Sequence, residues 1–180
     1  AAHTQMPVLE PARLRMPRLG LGTWPMTGAV CQRAVVCALA LGYRHIDTAE
    51  MYGNEEAVGA ALAASGVARD AIFLTTKIWN DKPDGASIRR AFADSLARLG
   101  TPHVDLLLIH WPSPQVQLAD ALRGLAAIRA EGGAKAIGVS NFPPRLLRRA
   151  IEADVGLACL QVEFHVLLDQ SKLLELCRAH

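Results

Sequence analysis

Four polar residues recur along this chain at a nearly constant interval, each closing an apolar run. Asp47, Lys77, His110 and Ser140 are separated by 30, 33 and 30 residues. The runs they close are YRHID (43–47), IFLTTKIW (72–79), VDLLLIHW (104–111) and AIGVSNF (136–142). LGLGTW (19–24) precedes them and ACLQVEFH (158–165) follows, which makes six strand candidates. Strands so uniformly apolar are buried on both faces, and that requires a parallel sheet covered by helices.

The intervening segments carry helix patterning. Ile88, Phe92, Leu96 and Leu99 fall on one helical face and Gly100 stops the run. Leu118, Leu122, Leu125 and Ile128 repeat the arrangement, with Gly132 as terminator. Asn54 is expected to cap the helix that opens with Glu55 and Glu56, and Asn141 the helix entered through Pro143 and Pro144.

An open doubly wound sheet forms its ligand crevice mainly at one switch point, so polar residues closing every strand would be unusual there. A (β/α)₈ TIM barrel brings all strand ends to one mouth. The spacing therefore predicts a TIM barrel of which six of the eight βα units lie in these residues. A closed barrel takes about 250 residues, so a chain of 180 is expected to be part of a longer protein. Residues 1–180 read as one barrel domain, with 1–18 as an N-terminal hairpin cap. Within that cap MPVLEPARLRMP (6–17) turns near Pro11. The Gly20-Leu21-Gly22 step is only a Gly-x-Gly, short of a dinucleotide fingerprint.

Composition excludes several classes. A formal charge of +2, with arginines dispersed, leaves no nucleic-acid footprint; Arg145, Arg148 and Arg149 fit the solvated face of a short helix. No apolar run is long enough for a membrane helix, and AAHTQMPVLE lacks a signal-peptide layout. Cys31, Cys37, Cys159 and Cys177 form no CxxC pair and read as buried reduced thiols, which points to the cytoplasm.

The groups expected at the mouth are Asp47, Tyr52, Lys77 and His110. A phenol holds its proton tightly at neutral pH unless a nearby cation stabilises the phenolate. Lys77 can do that, and Asp47 beside it would keep a buried ammonium charged. His110 can donate a hydrogen bond to a substrate oxygen. Such a set suits protonation of a carbonyl oxygen, with Tyr52 as the acid. Trp24, Trp79 and Trp111 each follow a strand end and are expected to wall a pocket. Ser140, Asn141 and Gln161 could meet a polar ligand edge. No side chain delivers a hydride, so a cofactor is required.

At these residues the chain resembles the aldo-keto reductase family. Gly42-Tyr43-Arg44-His45-Ile46-Asp47-Thr48-Ala49, with Glu55, Val58 and Gly59, is similar to its first signature. Lys135 to Phe142 (KAIGVSNF) is similar to its fifth-strand signature. Thr75-Thr76-Lys77 and Leu108-Ile109-His110-Trp111-Pro112 resemble its third and fourth strand ends. The resemblance implies NADPH-dependent reduction of aldehydes and ketones by a monomer. It makes Tyr52 the acid, Lys77 and Asp47 its tuning pair, and His110 the group that orients substrate. It also implies cofactor contacts from Thr23, Asp47, Ser140, Asn141 and Gln161. Residues 110–122 and 161–170 look most similar to bacterial diketogluconate and methylglyoxal reductases, so small dicarbonyls or keto-sugar acids are the implied substrates. Phe164-His165-Val166 departs from the family's Tyr-His-Pro. The family's seventh and eighth strands, which grip the 2′-phosphate of NADP, lie outside these residues.

Two other readings use the same residues. A metal-dependent hydrolase would take His45, Asp47, His110 and His165 as ligands, but the strand carries His-x-Asp and Tyr52 would go unused. We therefore expect no metal. A nucleotide-binding barrel with little turnover is the other alternative.

Overall fold

The computed structural model describes residues 8, 9, 14–82 and 84–180. Two short strands, β1 (Val8–Leu9) and β2 (Met16–Pro17), pair antiparallel as the expected hairpin; its turn near Pro11 lies outside the described residues. Among the described residues six parallel strands follow, each separated from the next by helix. They are β3 (Leu21–Gly22), β4 (His45–Asp47), β5 (Phe73–Ile78), β6 (Val104–Ile109), β7 (Ala134–Ser140) and β8 (Cys159–Gln161). They lie side by side in chain order. The helices are α1 (Gly28–Ala40), α2 (Glu55–Ala64), α3 (Gly85–Leu99), α4 (Leu118–Ala130), α5 (Pro144–Glu152) and α6 (Ser171–Ala179).

One hydrogen bond shows that the sheet is curled. Strands β4 and β8 are four places apart in the sheet, yet Gln161 Nε2 donates to Asp47 Oδ2 at 2.8 Å. Neighbouring strands run about 4.8 Å apart, so a flat sheet would hold these side chains far out of reach. The six strands are part of a TIM barrel, as expected.

The two-residue pleat then sorts each strand into a lumen row and a helix-facing row. On β5, Phe73 joins the inner cluster with Leu14, Leu106, Leu108 and Ala136, under the N-terminal hairpin. Leu74 and Ile78 join the outer cluster with Ile88, Phe92, Leu122, Leu125 and Ile137, between sheet and helices. Phe73, Thr75 and Lys77 therefore climb one lumen row, from an apolar floor to a polar mouth.

Two signature glycines permit close approaches. A Cβ at Gly59 on α2 would lie 2.6 Å from the Leu99 carbonyl oxygen at the end of α3. One at Gly138 on β7 would lie 2.4 Å from the Cys159 carbonyl oxygen on β8.

Several expectations need correction. β3 and β8 are shorter than the apolar runs suggest, with two and three residues in the ladder. Beyond Gln161 the chain leaves the sheet, and Phe164, Val166 and Leu167 are exposed. Asn54 precedes α2 but makes no capping bond; its side chain serves the loops, as described below. Nor does Asn141 cap α5: Pro143 holds that position, and Asn141 adopts a left-handed φ of 61°. Of the four cysteines only Cys31 is buried; Cys37 on α1 and Cys177 on α6 are exposed, and Cys159 on β8 is half-buried. Arg145, Arg148 and Arg149 are exposed on α5, as expected.

Candidate active site

The carboxyl ends of the strands bring Asp47, Tyr52, Lys77 and His110 together. Lys77 is the penultimate residue of β5 and is 1% exposed. Its ammonium forms an ion pair with the Asp47 carboxylate, donates to the Thr48 carbonyl at 3.0 Å, and lies 3.3 Å from the Tyr52 hydroxyl. A buried ammonium needs polar partners in place of water, and these three supply them. Tyr52 ends a 3₁₀ turn (Glu50–Tyr52) whose C-cap, Gly53, has φ 62°. That turn aims the ring back over the mouth.

His110 follows the last residue of β6, anchored by its main-chain N–H to the Ile78 carbonyl at 3.0 Å. Its ring stands edge-on to Tyr52, with centroids 5.5 Å apart. Burial, and then the Lys77 charge, hold its pKa down at about 4 against the opposing pull of Asp47. The imidazole is therefore neutral at pH 7. Its Nδ1 is buried with no hydrogen-bond partner among the described residues.

The tryptophans divide. Trp24 approaches Tyr52 with ring centroids 5.3 Å apart, and Trp79 stands edge-on to His110 at 5.2 Å. Trp111 is 46% exposed and turns outward, lining with Trp79, Pro112 and Phe142 an apolar recess beside the mouth.

The remaining mouth residues are tied together. Thr23 Oγ1 donates to the Asp47 carbonyl at 3.0 Å. Ser140 Oγ donates to the Gln161 carbonyl at 3.0 Å. Asn141 Nδ2 donates to the His110 carbonyl and to Ser140 Oγ, both at 3.0 Å. Asn141 and Gln161 thus direct their amide nitrogens to protein acceptors, and among the described residues no donor meets either amide oxygen.

Sequence patterning did not single out Thr48 or Asn54 as struts of this site. Thr48 Oγ1 donates to Asn54 Oδ1 at 2.6 Å, while Asn54 Nδ2 reaches the Thr23 and Met26 carbonyls at 3.2 and 2.9 Å. These bonds join the loops after β3 and β4 behind Asp47. The signal available was an amide beside a strand end, which reads equally as a helix cap. Of the candidate metal ligands, His45 bonds Thr75 Oγ1 lower in the lumen at 3.0 Å, and His165 pairs with Glu163 on the exposed segment after β8. Among the described residues no three His, Cys, Asp or Glu side chains are grouped to hold a metal ion.

Fold and mouth together define a TIM-barrel protein with its polar cluster at the strand carboxyl ends, the place where such barrels carry chemistry. The chain belongs to the aldo/keto reductase family, an oxidoreductase family whose model matches residues 18–180. It is 45% identical over 160 residues to methylglyoxal reductase DkgA of Salmonella typhimurium, covering 88% of this chain and 58% of that protein. An aldo/keto reductase from Brucella melitensis superposes with a TM-score of 0.90 at 42% identity, covering 97% of this chain and 69% of the other. The Bombyx mori aldo-keto reductase AKR2E4, solved in complex with NADP, superposes with a TM-score of 0.88 at 32% identity, over 97% of this chain and 64% of the other. The chain spans less than two thirds of the length of the DkgA relative.

Proposed function

We propose that this protein, read as one barrel domain, reduces small dicarbonyls or keto-sugar acids to alcohols at the expense of NADPH, as a cytoplasmic monomer. The observation that carries the proposal is the 3.3 Å approach of the Tyr52 hydroxyl to the buried Lys77 ammonium, beside a neutral His110.

Carbonyl reduction needs a hydride at carbon and a proton at oxygen. NADPH, when bound, supplies the hydride. The proton comes from this chain. Tyr52 gives its hydroxyl proton to the carbonyl oxygen, and the Lys77 ammonium stabilises the phenolate left behind. Asp47 pairs with the Lys77 ammonium and holds it beside the phenol. His110 orients the carbonyl: its unpaired Nδ1 favours the tautomer with the proton on Nε2, because a buried N–H without an acceptor is the costlier orphan. That tautomer offers a neutral donor to the substrate oxygen.

The residues fit a nicotinamide. Its carboxamide offers two N–H donors and one acceptor, and the amide oxygens of Asn141 and Gln161 are acceptors with no protein donor among the described residues. Ser140 and Thr23 complete that side of the mouth, and the structures of relatives solved with NADP or NADPH support the same choice. Trp24 and Trp79 would form the substrate side, and Trp111 would extend it into the apolar recess beside the mouth.

The test mixes the purified protein with NADPH and methylglyoxal and follows the loss of reduced-cofactor absorbance. Consumption in the parent that collapses in Tyr52→Phe supports the reading. Tight NADPH binding without consumption across varied carbonyls would replace it with a nucleotide-binding role.

A further inference from the structure

We propose that Glu50 is a specificity-determining positioning residue, clasping the loop that carries Trp79 to the turn that carries Tyr52; the proposal rests on the reductase reading for its substrate. The Trp79 main-chain N–H is the first donor beyond the β5 ladder and has no strand partner there. It donates instead to Glu50 Oε2 at 2.9 Å. The other carboxylate oxygen, Oε1, lies 3.1 Å from the Lys82 ammonium on the same loop, three residues further on. Lys82 in turn pairs with Asp81. Burial pulls the Lys82 pKa down, but its hydrogen bonds and charge contacts with Asp81 and Glu50 outweigh that and leave it raised. Lys82 therefore keeps its charge at neutral pH.

Glu50 stands two residues before Tyr52 in the same 3₁₀ turn, and Trp79 one residue after the last of β5. Trp79 packs edge-on against His110, which packs edge-on against Tyr52. One carboxylate thus fixes the distance between the proposed acid and the indole that bounds the space in front of it. A small dicarbonyl would leave that indole largely untouched. A carbonyl carrying an aryl group would press on it. The clasp therefore sets affinity for bulky substrates without touching the reacting atoms.

The test measures three quantities on Glu50→Ala, Glu50→Gln and the parent. They are hydrogen exchange at the Trp79 amide, the Kd of 4-nitrobenzaldehyde from tryptophan quenching, and KM and kcat with methylglyoxal. Loss of a hydrogen bond to a charged group should speed Trp79 exchange in Glu50→Ala by about tenfold or more. The displaced indole should weaken nitrobenzaldehyde by roughly five- to tenfold while KM and kcat for methylglyoxal stay within about twofold. Glu50→Gln keeps an acceptor for Trp79 and should recover most of both losses. Unchanged exchange and Kd in Glu50→Ala would overturn the proposal. So would equal weakening of both carbonyls with a fall in melting temperature, which a merely structural role produces. A parent that binds nitrobenzaldehyde but reduces nothing would sink the reductase reading, while the exchange and Kd comparisons would still decide the role of Glu50.

Discussion

The Tyr52 hydroxyl oxygen sits 3.3 Å from the Lys77 ammonium nitrogen, and that nitrogen is also bound to the Asp47 carboxylate and the Thr48 carbonyl. The lysine is held from below by β4 and presents its charge upward to the phenol. Phenol and ammonium come from different βα units, so the barrel itself sets their separation.

Removal of the Tyr52 hydroxyl leaves the ring and its packing on Trp24 and His110. Tyr52→Phe should lower kcat by about 10²- to 10⁴-fold, the usual contribution of a positioned general acid. NADPH affinity should remain within about twofold, because no proposed cofactor contact is lost. Steady-state kinetics with methylglyoxal and a cofactor titration check both. Retained turnover would mean that another group supplies the proton.

Lys77→Met keeps the length of the side chain and removes its charge. The phenolate then forms without a cation beside it, and kcat should fall by about 10²-fold or more. Gln161 still donates to Asp47 at 2.8 Å, so the carboxylate is not left wholly unpaired. Circular dichroism of the variant should show the parent fold, and kinetics should show the loss. A variant as fast as the parent would remove Lys77 from the mechanism.

Much of this arrangement is legible in the sequence. The interval of 30 to 33 residues between Asp47, Lys77, His110 and Ser140 reports strand-end positions in successive βα units, and a barrel is the fold that gathers them. The burial of Ile88, Phe92 and Leu99 followed from helical spacing alone. What could not be read was where amides and carboxylates turn once loops fold. Asn54 and Asn141 looked like caps because Asn beside a helix start usually is one. Here their side chains instead bridge loops from different βα units, a tertiary choice that local patterning does not encode. Glu50 was invisible for the same reason: its partners, Trp79 and Lys82, lie in the loop of the next βα unit, and the repeat locates strand ends but not which loop side chains meet between units.

His110 makes stability depend on pH in a definite direction. Its ring stays neutral in the fold down to about pH 4, whereas an ordinary histidine takes a proton near 6.5. Between those values the unfolded chain binds a proton that the folded chain refuses, so stability falls as pH falls through the window. The contribution is whole above 6.5 and gone below 4. His110→Gln should therefore show a smaller drop in melting temperature from pH 7 to pH 4 than the parent. Part of the drop should persist, because the His45 pKa is lowered by burial in the same sense. Equal slopes in the two proteins would show that His110 is not held neutral.

The site also depends on one close backbone approach. Gly138 faces the lumen on β7, paired with Cys159 in parallel register, two residues before Ser140 meets Gln161. A methyl group there would stand 2.4 Å from the Cys159 carbonyl oxygen and 2.8 Å from Leu108 Cδ2. Leu108 can rotate, but the Cys159 carbonyl is β8 main chain, so relieving the contact shifts β8 against β7. Moving β8 carries Gln161 away from Asp47, to which it is bonded across the lumen. Gly138→Ala should therefore cost about 1–3 kcal/mol, as overpacking does, and weaken NADPH binding through the loss of Gln161 and Ser140 alignment. Chemical denaturation and a cofactor titration on the same sample separate the two effects. A variant with lower stability but unchanged affinity would show that β8 yields without disturbing the mouth.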